Sequence, residues 1–246
     1  KYFSGKNLNV YTTVIPDKIY YLADDVGCPV IDYDALFDKV SKEVDAKFIN
    51  VADKLTLDSY YTTDTHWKES KIVPVADKLL EAMNAAKNEA ISQAATLSPF
   101  YGVYYGQSAL PLAPDSVEYL LSERLKNATV LRADKTTKKL MEAKLYYEEN
   151  INADDPYDIF LGGACTVTVI QNTGKTNGKT LYLFSDSFGR SLAPLLLSDY
   201  DKVVFYDIRY IRMSQALEIM PIEPGSDVLM AYNISAIAVS SNLQVD

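Results

Sequence analysis

The sequence predicts an α/β protein whose strands form a mainly parallel sheet. Short apolar runs, typical of buried strands, alternate with segments whose apolar residues recur at helical spacing. This alternation begins near the N-terminus and returns in the second half of the chain, as expected for a parallel sheet with helical crossovers. The 246 residues are 48% hydrophobic, which is enough for one large domain with a substantial core.

Two strands and two helices are predicted in alternation before residue 84. Leu8–Ile15 alternates and is rich in β-branched side chains, which predicts a strand ended by Pro16. An amphipathic helix is predicted over Asp32–Ala46, followed by a short strand over Phe48–Val51. Apolar residues at helical spacing from Ile72 to Met83 indicate a second helix.

The pattern then changes, and we expect residues from about 86 to 157 to form an insertion, a subdomain beside the sheet. After a tyrosine-rich stretch with several Pro and Gly residues, Asp115–Lys126 is predicted to be a helix. Ala128–Asp134 and Leu140–Tyr147 flank a polar segment and predict a hairpin. The main sheet resumes with two strands, Ile159–Gly163 and Val167–Ile170. We expect the whole chain, residues 1–246, to form a single domain.

Three further buried strands are predicted, at Lys179–Phe184, Lys202–Tyr206 and Asp227–Asn233. A tight turn, Ser185–Gly189, joins the first of them to a helix and places Ser187 at the N-terminus of that helix. A serine hydroxyl there can act as a nucleophile, and free backbone N–H groups nearby can stabilise an oxyanion. The alternative is that Ser187 only caps the helix. Arg209 and Asn233 also follow strands, so one edge of the sheet could hold all three side chains.

The single histidine, His66, lies two residues after Asp64 in a polar loop before a helix. A carboxylate so close can orient an imidazole and stabilise its protonated form, as a general base for a serine requires. The structural alternatives are a helix N-cap for Asp64 and a core or surface position for His66. Together with Ser187, these residues supply every part of an Asp-His-Ser triad.

Charge and cysteine content restrict the partners. The net charge of −9 argues against nucleic acids and anionic membrane surfaces. No apolar run approaches the roughly 18 residues of a transmembrane helix.

Cys28 and Cys165 lack metal-ligand spacing, so we expect two unpaired, buried thiols and no metal or cofactor. Because residue 1 is Lys and not Met, we expect a processed or trimmed chain, as after removal of a signal peptide.

Five segments together resemble one family. They are Val10–Lys18 (VYTTVIPDK), Tyr60–Trp67 (YYTTDTHW), Phe160–Gly163 (FLGG), Phe184–Arg190 (FSDSFGR) and Asp207–Tyr210 (DIRY). In this combination and order, they resemble the bacterial DHHW protein family. That family is similar to the SGNH-hydrolase-like domains of alginate O-acetyltransferases. The resemblance covers most of the chain.

The resemblance implies a flavodoxin-like, three-layer α/β/α sandwich with a triad at the strand ends. It assigns Ser187 as the nucleophile, His66 as the general base and Asp64 as the carboxylate that orients it. Two positions depart from the family pattern. Thr65 replaces the first histidine of the family name, and Ser185 stands where a glycine is usual.

Three further residues are candidates for oxyanion stabilisation or substrate binding. Asn233 could donate to an oxyanion, as could the backbone N–H of the serine, and the alternative for Asn233 is a structural role at a strand end. Arg209 could bind an anionic substrate or an acyl oxygen, or form a salt bridge with Asp186 or Asp207. Trp67 could stack on a sugar or pack under a helix.

The sequence-based hypothesis is an exported, serine-dependent O-acetyltransferase or O-acetylesterase that acts on a cell-envelope or extracellular glycan. Its partners would be a polysaccharide or another acylated small substrate and a membrane-bound acyl donor. The alternative is a catalytically decayed glycan- or peptide-binding envelope protein, which Ser185 and the tyrosine-rich insertion favour. A purely structural envelope component is the third hypothesis.

Overall fold

The structure, a computed structural model, describes residues 2–87, 93–134, 136–174 and 177–245. Residue 1, residues 88–92 of the predicted insertion and Lys135 of its hairpin turn lie outside these ranges. The strands are β1 (Asn9–Ile15), β2 (Lys47–Phe48), β3 (Gln93–Phe100), β4 (Asp115–Leu121), β5 (Thr129–Ala133), β6 (Leu140–Ala143), β7 (Val167–Gln171), β8 (Thr180–Ser185), β9 (Lys202–Tyr206) and β10 (Asp227–Asn233).

The α-helices are α1 (Ala23–Val26), α2 (Tyr33–Glu43), α3 (Val73–Ala82), α4 (Val103–Ser108), α5 (Glu123–Lys126), α6 (Gly189–Leu196), α7 (Met213–Ile219) and α8 (Ile234–Ala238). Short 3₁₀ helices span Lys18–Tyr21, Ala52–Lys54, Leu57–Ser59, Glu69–Lys71, Glu148–Asn152, Pro156–Ile159 and Ser240–Asn242. None of the helices in the described ranges has the length and apolar character needed to cross a bilayer.

Eight strands form one central sheet in the order β2-β1-β10-β8-β9-β7-β5-β6. The first five are mutually parallel. β7, β5 and β6 continue the sheet through antiparallel pairings. The predicted mainly parallel sheet is confirmed. The last strand of the described residues, β10, lies between β1 and β8, so segments distant in sequence become neighbours at the centre of the sheet.

Helices cover both faces of this sheet. Successive residues of β8 point to opposite faces, and all six of its residues are buried. Leu181 and Leu183 share a core with α3 and α6, whereas Tyr182 and Phe184 share another with α7. The three-layer α/β/α sandwich is therefore confirmed, and the continuous apolar run of β8 is explained by burial on both sides.

One predicted helix is wrong. Of the segment Asp115–Lys126, Asp115–Leu121 is the strand β4, which pairs antiparallel with β3, and only Glu123–Lys126 is helical. Val117 and Tyr119, two residues apart, both point into a small aromatic core. This period-two burial stabilises a strand, although the residue composition is compatible with a helix.

Three other expectations need correction. The hairpin of β5 and β6 is present, but it extends the main sheet because β5 pairs with β7. Ile159–Gly163 is not a strand, since Leu161, Gly162 and Gly163 adopt positive φ angles of 55°, 68° and 79° in a tight turn. Of the two unpaired cysteines, Cys165 is buried as expected, but Cys28 is exposed.

A buried carboxyl group, that of Glu69, connects the loop before α3 to β4. Its Oε2 accepts a hydrogen bond from the backbone N of Leu120 at 2.7 Å. The Tyr146 hydroxyl lies 3.1 Å from the Glu69 Oε1 and 3.0 Å from the Leu120 carbonyl oxygen. Burial raises the pKa of Glu69 to about 8, although the hydrogen bonds from Leu120 and Tyr146 act in the opposite direction.

We expect Glu69→Gln to remove a pH dependence of stability. The Glu69 carboxyl ionises near its ordinary pKa of 4.5 in the unfolded chain, but it keeps its proton to about pH 8 in the folded chain. The free energy of unfolding of the wild type therefore falls as the pH rises between these values. A glutamine cannot ionise, and its amide can keep the bonds to Leu120 and Tyr146. The difference in free energy of unfolding between Glu69→Gln and the wild type can be measured by urea unfolding. This difference should favour the variant at pH 8 by on the order of a few kcal/mol more than at low pH.

The matched control is Glu142→Gln, because Glu142 is exposed on β6. Its stability should follow that of the wild type at every pH. Parallel curves for Glu69→Gln and the wild type would show that Glu69 does not retain its proton on folding.

Candidate active site

A cavity of about 240 Å³ opens at the carboxyl ends of β8, β9 and β10. Ser187 and Arg209, which follow β8 and β9, meet there with Asn233, the last residue of β10, as expected for the edge of a parallel sheet. The other residues that line the cavity are Thr65, Asp186, Phe188, Ser235, Ala236, Val239 and Asn242.

Ser187 lies in the turn that connects β8 to α6. Its Oγ is 2.7 Å from Nε2 of His66. The N-cap residue of α6 is Phe188, so the Ser187 hydroxyl does not cap the helix. Within the described residues, the backbone N–H of Ser187 has no hydrogen-bond acceptor. This N–H lies at the positive end of the helix dipole, where negative charge is stabilised.

The side chain of Asp186 fixes this turn against the end of β10. Its Oδ1 accepts a hydrogen bond from the backbone N of Phe188 at 2.9 Å, and its Oδ2 accepts one from the backbone N of Asn233 at 2.8 Å. Burial raises the pKa of Asp186, against the opposing effects of the Asn233 hydrogen bond and the Arg209 charge. The neighbouring carboxyl group therefore caps the turn and leaves the Ser187 hydroxyl to contact His66.

Asp64 holds His66 on the other side. The Asp64 Oδ1 lies 2.6 Å from His66 Nδ1 and accepts a hydrogen bond from the His66 backbone N at 2.9 Å. The Asp64 Oδ2 accepts one from the backbone N of Val103, at the start of α4, at 2.9 Å. Burial raises the pKa of Asp64, but hydrogen bonds and the charge of His66 lower it more, so the net shift is downward. The ionised carboxylate favours the tautomer with a proton on Nδ1, which leaves Nε2 free to accept the serine proton.

The three side chains form a continuous chain of hydrogen bonds from carboxylate to imidazole to hydroxyl. In such an arrangement the imidazole can take the serine proton while Oγ attacks an acyl carbon, and the carboxylate stabilises the imidazolium that results. The backbone N–H of Ser187 is available to a developing oxyanion. This geometry suits acyl transfer.

Arg209 and Asn233 line the cavity, but neighbours hold their side chains. Arg209 Nε and Nη2 bond the two carboxylate oxygens of Asp207 at 2.8 and 2.6 Å, which is the salt bridge given above as an alternative. Asn233 Nδ2 donates to the carbonyl oxygen of Ile15 at 3.1 Å, and Asn233 Oδ1 accepts from the backbone N of Ser235 at 2.9 Å, as the N-cap of α8. The structural alternatives therefore hold for both side chains, and their oxyanion or substrate-binding roles stay predictions.

Trp67 does not line the cavity, and the prediction that it stacks on a sugar is wrong. The side chain is completely buried, and its Nε1 donates to Ser191 Oγ at 2.8 Å. It packs under α6, the alternative interpretation, because its ring is enclosed between α6 and the core.

The two departures from the family pattern have different surroundings. Thr65 lines the cavity. The Ser185 hydroxyl is directed into the sheet, where it donates to the carbonyl oxygen of Ala231 on β10. A Cβ at Gly189 would lie 2.5 Å from the Ser185 Cβ and 2.5 Å from its Oγ, so α6 approaches β8 closely only because residue 189 is glycine.

Sequence reasoning missed two features of the site. The ring of Tyr157 stacks on the His66 imidazole, with centroids 3.8 Å apart and an interplanar angle of 2°. The N-terminus of α4, through Val103, binds Asp64. Neither contact has a signal in local spacing, because both join segments far apart in the chain. Only the tyrosine- and glycine-rich segment Tyr101–Gly106 marks the start of α4 in the sequence, and nothing comparable marks Tyr157.

No protein-family model matches the chain, and no curated protein matches it. Solved structures match over nearly its full length. A DHHW family protein from Eubacterium siraeum has a TM-score of 0.79 at 20% identity, covering 98% of this chain and 83% of that one. Bacillus cereus PatB1 with a sulfonyl adduct has a TM-score of 0.75 at 16% identity, covering 96% and 84%. The O-acetyltransferase domain of Pseudomonas putida AlgJ has a TM-score of 0.51 at 12% identity, covering 95% and 77%.

At these identities, the likeness establishes the fold. The sequence motifs predicted a resemblance to DHHW proteins and to SGNH-hydrolase-like O-acetyltransferase domains. The structural comparisons confirm this resemblance for the fold. The chain has the α/β fold of these proteins.

We expect Gly102→Ala to displace Asp64. A Cβ at Gly102 would lie 2.3 Å from the Asp64 Cβ and 2.5 Å from the Thr63 carbonyl oxygen, and neither atom can move without its backbone. The cost should be about 1–3 kcal/mol of stability, measured by thermal unfolding. We expect the proton between Asp64 Oδ1 and His66 Nδ1 to give a downfield NMR signal, and this signal should weaken in Gly102→Ala.

Gly106→Ala is the matched control within α4, because a Cβ there would meet nothing within 4 Å. It should be neutral, or more stable by roughly 0.5–1 kcal/mol, since alanine is the better helix former. Equal behaviour of the two variants would contradict the tight contact between α4 and Asp64.

Proposed function

We propose that this chain is a serine-dependent acyl-transfer enzyme that moves O-acetyl groups on or off a glycan. The observation that carries the proposal is the unbroken hydrogen-bond chain from Asp64 through His66 to Ser187, with separations of 2.6 and 2.7 Å. Each group has the partner that its catalytic role requires.

In the proposed reaction, Ser187 Oγ attacks the acyl carbonyl carbon as its proton passes to His66 Nε2. The carbonyl oxygen becomes an oxyanion beside the backbone N–H of Ser187. The intermediate collapses, and His66 returns the proton to the departing alcohol, which leaves an acyl group on Ser187. Water or a sugar hydroxyl, deprotonated by His66, then attacks the acyl-enzyme and regenerates the free serine. Water as acceptor gives an esterase and a sugar gives a transferase.

The similar structures support this chemistry. PatB1 has been captured with a sulfonyl adduct. Sulfonyl reagents react with activated nucleophiles, the class of group that a His-paired serine supplies. The AlgJ domain is named as an O-acetyltransferase. From the family resemblance of the sequence motifs we further propose that this chain acts outside the cytoplasm, at the cell envelope, and receives acyl groups from a membrane-bound donor.

A surface of tyrosines supports a glycan as the substrate. Tyr101 and Tyr104 are 41% and 38% exposed, and Tyr101 contacts Tyr105 with ring centroids 4.6 Å apart. We call these three residues the tyrosine surface. The backbone N of Tyr104 donates to the carbonyl oxygen of Thr63 at 2.9 Å. This bond places the tyrosine surface directly beside the Asp64–His66 loop. Tyrosine rings offer an apolar face to a sugar ring and a hydroxyl to its polar groups.

The catalytic assignment is tested by single substitutions. The wild type should hydrolyse p-nitrophenyl acetate and take up one sulfonyl group from phenylmethylsulfonyl fluoride, located on Ser187 by mass spectrometry. Ser187→Ala and His66→Ala should lose the label and lower turnover by about 10³-fold or more, and Asp64→Asn should lower it by about 10⁴-fold. Ser41→Ala, in exposed α2, is the control and should behave as wild type. Turnover that survives the first two changes, or a label on another residue, would refute the assignment.

The substrate class is tested at the tyrosine surface. We expect Tyr101→Ala combined with Tyr104→Ala to weaken binding of O-acetylated xylan, used as a probe glycan, by roughly tenfold in affinity electrophoresis. Hydrolysis of p-nitrophenyl acetate should be unchanged, since the backbone of α4 still binds Asp64. Met141→Ala, which removes a 57% exposed side chain on β6, should leave both properties intact. Undiminished glycan binding by the double variant would exclude this surface as the docking site.

A further inference from the structure

The imidazole of His66 is covered on one face by Tyr157. The two rings are almost parallel, at 2°, with centroids 3.8 Å apart, and the Tyr157 side chain is completely buried. The hydrogen bonds of His66 to Asp64 and Ser187 lie along the ring edge, so the stack leaves both intact. Tyr157 therefore contacts the histidine without competing for either nitrogen.

Tyr157 is itself held at both ends. Its backbone N donates to Asp155 Oδ1 at 3.1 Å, at the start of the 3₁₀ helix Pro156–Ile159. Its hydroxyl lies 2.7 Å from Ser191 Oγ on α6. The same Ser191 Oγ accepts the Nε1 proton of Trp67, which directly follows His66 in the chain. The phenol is thus connected both to the helix that follows Ser187 and to the loop that carries His66.

The imidazole also contacts Phe188, with ring centroids 4.9 Å apart and an angle of 50°. Of the two aromatic rings that contact His66, only Tyr157 is parallel to it. A parallel neighbour restricts rotation of the imidazole out of its plane, and that plane contains both hydrogen bonds. Burial raises the pKa of Tyr157 well above its ordinary value, so the ring faces His66 as a neutral phenol.

We propose that Tyr157 is a positioning residue for His66. It fixes the imidazole plane, and its electron-rich face stabilises the imidazolium that forms when His66 takes the serine proton. The second effect is a cation–π interaction. This inference rests on the proposed acyl-transfer function, and it adds a residue that neither the triad pattern nor the family motifs contain.

The test compares two substitutions at the same position. Tyr157→Phe keeps the stacked ring and loses only the bond to Ser191, so its kcat for p-nitrophenyl acetate should stay within about threefold of wild type. Tyr157→Leu removes the ring, and kcat should fall roughly 10- to 30-fold with little change in KM. The acid limb of the pH–rate profile should move to lower pH in Tyr157→Leu alone, because the protonated imidazole has lost its stabilising face.

Tyr200→Leu is the control that distinguishes an effect of Tyr157 on His66 from a general loss of stability. Tyr200 is as deeply buried but bonds Asp227, at the other end of the sheet. This variant should lose stability and keep the wild-type pH–rate profile. Fluorescence of Trp67, the single tryptophan, confirms that each variant is folded.

His66 is the only histidine, so its ring protons can also be followed through a pH titration by NMR without assignment. The titration midpoint should move to lower pH in Tyr157→Leu and stay unchanged in Tyr157→Phe. An unmoved midpoint in Tyr157→Leu, or equal effects of the two substitutions, would overturn the positioning role. An inactive, unlabelled wild type would instead refute the proposed function, and the NMR comparison would still decide the role of the stack.

Discussion

The buried carboxylate of Asp64 is the constraint on which the site depends. An ionised carboxylate removed from water is tolerated only when its oxygens are fully bonded. Asp64 meets this requirement with the backbone and ring of His66 on one oxygen and the first N–H of α4 on the other. The closeness of Gly102 follows, since a larger residue would enter the space of the carboxylate. One charge thus fixes the loop, the helix and the imidazole together.

Ser187 reaches this imidazole because of the sheet order and not through local sequence. β8 supplies the turn, and β10, its neighbour, supplies the backbone N–H that anchors Asp186. The Asp64–His66 loop comes from a different part of the chain, between β2 and α3. The two segments meet at the hydrogen bond between His66 and Ser187, and the bond from Trp67 Nε1 to Ser191 Oγ also joins them. Such bracing reduces the reorganisation that an acyl-transfer reaction would require.

The sequence predicted what depends on local pattern. An alternating β-branched segment located β1, and apolar runs located β8, β9 and β10, all to within two residues. The apolar runs lack alternation because those strands are buried on both faces. Ser187, His66 and Asp64 were found from a strand-turn-helix signal and an Asp-x-His spacing. Tertiary context decided the rest. Asp115–Leu121 became a strand because β3 lay beside it, and Trp67 was enclosed by α6. Tyr157 and His66 lie far apart in the sequence, so no periodic pattern in the sequence could predict that their rings stack.

The position of β10 also affects how the molecule is made. Until Asp227–Asn233 leaves the ribosome, β1 and β8 have no strand between them, and Asp186 lacks its Asn233 partner. The central pairings are therefore among the most non-local in the chain, a feature associated with slow folding. A nascent chain can present the serine, the histidine and the aspartate long before it can align them. Alignment of these three side chains must therefore wait until Asp227–Asn233 has been synthesised and has paired with β1 and β8.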